Sequence, residues 1–216
     1  ARLLLLRHRN REAAEVLLPL VTGRVADFQD LAQRQQATLD LLSAQLRLDD
    51  FNGAARTTRL LNDSVLTRKY ELLGRGVAYA GPGNPEETSV EFVQTHPAPV
   101  FSAVVNGRAG LFLLDTQQDE LVLDRDFARR AGLEAGEEGV VKEFGLGRWT
   151  LRQVPVHVSP LKRLGAHEVA GAIGLSLLMH YDFTIDFRRS RLTLRRPGSE
   201  TPPGGLPLVW AGERHL

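Results

Sequence analysis

The side chain in this 216-residue chain best placed to do chemistry is Asp115, which follows the apolar run Leu111, Phe112, Leu113, Leu114 and precedes Thr116. A carboxylate can take a proton from water or give one to a leaving group. The other candidates carry weaker patterns. Asp186 lies in a stretch read as a closing strand, so a solvent-facing or turn-capping role is expected of it. Asp124 reads as the N-cap of a helix over residues 125–130. The six histidines fall at no metal-ligand spacing: His167 and Glu168 are adjacent, but His180 is too far along to complete a His-Glu-x-x-His pattern. Neither a metal nor a cofactor is expected. Ser102, Ser159, Ser176 and Ser190 lack a Gly-x-Ser-x-Gly elbow, and Gly145 with Gly147 lacks the third glycine and following helix of a dinucleotide site. The absence of cysteine excludes thiol nucleophiles, disulfides and cysteine-ligated zinc.

The elements that must position Asp115 follow from periodicity. Over residues 1–80 apolar residues recur at helical spacing, as at Ala13, Val16, Leu17 and Leu20, then Leu39, Leu42 and Leu46, then Ala54, Leu60 and Leu61. Three or four helices are expected, forming a helical-hairpin domain with breaks near Asn10, near Thr22 and Gly23, and at residues 49–53. Gly81, Pro82, Gly83, Asn84 and Pro85 form a breaker cluster, so residues 81–91 read as a linker. Beyond it short strand-like runs alternate with turn signals: residues 90–94, 100–105, 111–114, 121–123, 140–144, 150–158, 182–187 and 191–194. Short helices are expected at 124–131 and 175–180. The fold class is α+β, an N-terminal α-helical domain followed by an all-β barrel over residues 92–198, with a Pro/Gly-rich tail at 199–216.

The stretch from Val100 through a turn at Asn106 and Gly107, into Phe112, Leu113, Leu114, Asp115 and Thr116, and on to Phe127, Ala128, Gly132 and Leu133, resembles the retropepsin-like aspartic proteases. A second block, with Ala172, Ile173 and Gly174 followed by a closing hairpin, resembles the segment that in this family runs beside the active-site loop. Together the two cover about half of the chain. The resemblance implies an aspartic endopeptidase acting on a peptide or protein. One carboxylate cannot both activate water and protonate the leaving amine, and this chain supplies one such loop. A family-like enzyme would therefore be a twofold homodimer with Asp115 of one chain against Asp115 of the other, and Thr116 bracing the two loops. Where the family has glycine this chain has Gln117, followed by Gln118, so the motif reads Asp-Thr-Gln. Either the loop is rearranged around that side chain, placing Gln117 and Gln118 against substrate, or the site is catalytically impaired and serves for binding or scaffolding. The family's flap would come from residues 140–150, with Phe144, Gly145 or Trp149 facing a bound peptide, and Ile173 lining the site. The alternative for Trp149 is core packing.

A charged fraction of 25% and a net charge of +1 describe a folded chain with no electrostatic case for nucleic acid. Arg188, Arg189, Arg191, Arg195 and Arg196 read as a solvated strand face, with an acidic partner or lipid headgroups as the alternative. The helical domain is a candidate surface for a protein partner, or a cover for the flap or dimer face. The chain opens at Ala1 rather than Met, from which removal of an upstream segment and an extracytoplasmic, periplasmic setting in a bacterium are expected.

Overall fold

The computed structural model describes residues 1–23, 31–133, 136, 138–161 and 168–198; the expected tail at 199–216 and His167 lie outside them. The chain divides into two compact units at Arg75 and Gly76. Among the described residues no helix is long and apolar enough to cross a membrane.

The first unit holds α1 (Arg2–Leu6), α2 (Asn10–Val21), α3 (Leu31–Leu46), α4 (Phe51–Leu60) and α5 (Ser64–Leu73). In sequence order α2 packs on α3, α3 on α4 and α4 on α5. Asp50 and Asp63 cap α4 and α5, accepting from the amides of Gly53 (2.8 Å) and Leu66 (2.9 Å). Gly53 therefore lies inside a helix and not in the break expected at 49–53. The buried side of α4 is Gly53, Ala54, Ala55, Thr57 and Thr58, whereas Leu60 is 51% exposed. Its threonines stay buried because their hydroxyls are satisfied: Thr57 donates to Gln45 Oε1 at 2.8 Å, and Thr58 to the Ala54 carbonyl at 3.0 Å.

The second unit contains β1 (Glu87–Gln94), β2 (Val100–Val105), β3 (Arg108–Leu114), β4 (Leu121–Leu123), α6 (Arg125–Arg130), β5 (Glu138–Leu146), β6 (Trp149–Val158), β7 (Gly171–Ile173), α7 (Leu175–Leu178), β8 (Asp182–Asp186) and β9 (Arg191–Arg195). The order β3-β7-β4-β6-β5-β2 closes on itself through β2–β3, making a barrel, from which β1, β9 and β8 continue as a sheet. The β2–β3 hairpin turns at Asn106 (φ 48°) and Gly107 (φ 80°), two left-handed residues of the kind that a two-residue hairpin demands. Phe112 fills the barrel, fully buried, with its ring edge-on to Phe127 at 5.9 Å and to Phe144 at 5.7 Å.

Two expected boundaries change. The β unit begins at Gly76, and β1 starts at Glu87, inside the stretch read as a linker. Glu87 to Glu91 pair residue for residue with β9. The breaker cluster is also fastened down: Thr150 donates to Asn84 Oδ1 at 3.0 Å, Asn84 Nδ2 donates back to the Thr150 carbonyl at 3.2 Å, and the Trp149 indole donates to the Pro85 carbonyl at 2.9 Å. Gly and Pro mark where the backbone bends; whether the bend is free or docked depends on partners elsewhere in the sheet.

Candidate active site

β3 runs from the Asn106–Gly107 turn to Leu114, where it lies parallel to β7 with Leu114 opposite Ile173. One residue beyond that last pair, the Asp115 amide donates to the Ile173 carbonyl at 3.1 Å. The carboxylate emerges at the strand end, half-buried, while Thr116, Gln117 and Gln118 are exposed. Asp115 Oδ1 accepts from the Gln117 amide at 3.0 Å, and the Gln118 amide donates to the Asp115 carbonyl at 3.2 Å. The loop is thus a tight turn wound on its own aspartate. Gln117 is not among the residues with left-handed φ, so the turn accepts a side chain without the conformation that glycine would supply.

The far side of the loop is held by α7. The Leu175 amide donates to the Gln118 carbonyl at 2.8 Å, and the Ser176 amide to the Asp119 carbonyl at 2.7 Å. Gly174 makes that approach feasible: a Cβ there would meet the Glu120 carbonyl oxygen at 2.4 Å and the Gln118 carbonyl oxygen at 2.6 Å. The loop and its turn thus come from residues 115–118 and their support from residues 173–176, distant in sequence.

No protein-family model matches the chain, and no curated protein matches it. Solved structures do. A retropepsin-like aspartic protease from Rickettsia conorii aligns over 51% of this chain and 90% of its own length, at 20% identity and a TM-score of 0.40. The retroviral protease-like domain of Ddi1 from Leishmania major aligns over 53% of this chain and 98% of its own, at 15% identity and a TM-score of 0.33.

The structure separates the expected site residues. Asp115, Thr116, Gln117 and Gln118 form one loop. Ile173 supports it through its carbonyl, but its side chain is fully buried and offers nothing to a substrate. Phe144 is fully buried and Trp149 is 2% exposed, so both are core residues instead of peptide contacts. Gly145 pairs with Val104, near the Asn106–Gly107 turn and opposite the Asp115 end of β3. From Ala109, the partner of Val104, to Asp115 is six residues, or about 20 Å of strand.

Residues 140–150 therefore make barrel wall rather than the expected flap. The hairpin tip is fastened to β1, where the Arg148 amide donates to Thr88 Oγ1 at 2.8 Å. Asp186 accepts from the Arg189 amide at 2.9 Å, a turn cap as its sequence setting suggests. Asp124 caps α6, accepting from the amides of Asp126 and Phe127. Sequence reasoning missed the part played by Leu175 and Ser176, whose backbone amides leave no trace in residue type.

Proposed function

We propose that the chain is an aspartic endopeptidase that works as a twofold homodimer. The observation that carries the reading is the placement of Asp115: a half-buried carboxylate at the open end of β3, with Oδ1 oriented by the Gln117 amide and exposed Thr116 beside it. The sequence resemblance at residues 112–116 and 172–174 supports the same reading. In the dimer two Asp115 carboxylates approach and share one proton, since like charges at such range cannot both stay ionised. The ionised partner removes a proton from water, which attacks the scissile carbonyl, and the protonated partner gives its proton to the leaving amine. Thr116 of each chain braces the paired loops. The pH profile is then bell-shaped, with limbs that belong to the pair.

Cleavage of a peptide library by wild type, Asp115→Asn and Asp186→Asn tests the proposal. Asp115→Asn is expected to lose about 100- to 10,000-fold in kcat, the range general acid–base catalysis supplies. Asp186→Asn, which alters a turn cap and the ion pair of Asp186 with Arg189 and lies outside the Asp115 loop, retains activity. Cleavage absent from wild type and from Gln117→Gly alike would overturn the enzymatic reading and leave a peptide-binding or scaffolding role for the same loop.

A further inference from the structure

Residues 76–85 bring the chain into the β unit, and Tyr79 contacts His180 and Tyr181 in the segment that follows α7. Tyr79 is 7% exposed and holds a left-handed φ of 55°. A bulky residue keeps that strained conformation only where its surroundings impose it. The Tyr79 ring lies over the His180 imidazole, with centroids 4.0 Å apart and planes 32° from parallel. The Tyr181 hydroxyl donates to the Tyr79 carbonyl at 3.1 Å, and the Tyr181 ring lies 4.8 Å from the buried Trp149.

His180 passes this grip inward. Its Nδ1 lies 2.5 Å from the Ser176 carbonyl oxygen, and a carbonyl only accepts, so Nδ1 carries the hydrogen and donates it. Ser176 is also the residue whose amide donates to the Asp119 carbonyl, beside Leu175, whose amide holds Gln118. The contacts run without a gap from Tyr79 through His180 and the first turn of α7 to the Asp115 turn.

We propose that Tyr79 and His180 are positioning residues for the Asp115 loop: residues 76–85 form a strap that clamps the C-terminal end of α7, and α7 holds residues 115–119. The clamp stands on geometry alone; its consequence for turnover rests on the reading of Asp115 as the reacting carboxylate. The α7 amides of Leu175 and Ser176 hold the loop through the Gln118 and Asp119 carbonyls, so the order of the loop depends on whatever fixes α7.

Amide hydrogen exchange on the full-length chain tests the clamp. In Tyr79→Leu, which keeps apolar volume and loses the ring stack, and in His180→Ala, exchange at Gln118, Leu175 and Ser176 is expected to rise about tenfold. Exchange at the β5–β6 pair Phe144 and Leu151 stays at its wild-type rate. Tyr79→Phe, which restores the ring, restores protection. In peptide cleavage the two disruptive variants lower kcat with KM held, and Tyr79→Phe recovers it. Unchanged loop exchange, or a rise spread evenly over the barrel, overturns the proposal. If the wild-type chain cleaves nothing, the peptidase reading fails while the exchange result still decides the clamp.

Discussion

At the scale of the residue, the departure of this chain from the Asp-Thr-Gly pattern comes down to what position 117 contributes. The turn uses the backbone N–H of Gln117, which donates to Asp115 Oδ1 at 3.0 Å, and the exposed side chain takes no part in that bond. Gln117→Pro removes the donor, while Gln117→Ala keeps it. A hydrogen bond to a charged group is worth about 1.5–3 kcal/mol, so Gln117→Pro should lower kcat by about 10- to 100-fold and Gln117→Ala by far less. Steady-state cleavage rates of the two purified variants check this. That Asp115 ends an apolar strand was legible in the sequence as a local pattern, whereas its choice with Thr116 over the other carboxylates came from the family resemblance of residues 112–116. The burial of Phe144 and Ile173 was not, since strand alternation alone does not say which face turns into a closed barrel.

At the scale of the element, the support for the loop is the junction of β7 with α7. Gly174 sits against two carbonyl oxygens of the Asp115 loop, and backbone cannot yield as the far end of a flexible side chain can. Gly174→Ala must push the loop away from α7, at about 1–3 kcal/mol for overpacking of this kind. Thermal or denaturant unfolding should show that loss, and proteolysis should cut more readily at residues 116–120 than in wild type. The β5–β6 hairpin teaches the opposite lesson. The resemblance implied a flap at residues 140–150, yet a Cβ at Gly147 would lie 2.4 Å from Thr88 Oγ1, so this glycine marks close packing on β1.

At the scale of the whole molecule, the proposed dimer takes one Asp115 from each chain, and under that proposal activity is a property of the pair. Specific activity should rise with protein concentration until dimer dominates. Mixing wild type with an excess of Asp115→Asn chains should suppress cleavage more steeply than dilution by buffer, because mixed pairs hold one functional carboxylate. Activity that tracks the wild-type chain linearly through both titrations would show a monomeric catalyst. The helical unit, with α2 through α5 packed in sequence order, was legible as helices from its periodicity, but its buried α4 face was not. Thr57 and Thr58 are buried only because Gln45 and the Ala54 carbonyl satisfy them, and a count of apolar residues passes over them.

The sequence by itself determined what is local: a helical first part, a strand-rich second part, an Asn-Gly hairpin, the cap at Asp124, and a carboxylate at the end of an apolar strand. These rest on periodicity, turn chemistry and side-chain type, which act over a few neighbouring residues. Only the tertiary structure decided that β1 begins inside the breaker region, that the β5–β6 hairpin is wall and not flap, and that α7 and the strap at 76–85 stand behind the Asp115 loop. Each of these depends on backbone hydrogen bonds and ring contacts between segments far apart in the chain. A peptide N–H or C=O is the same in nearly every residue, so its partner becomes visible only when the strands and helices are placed.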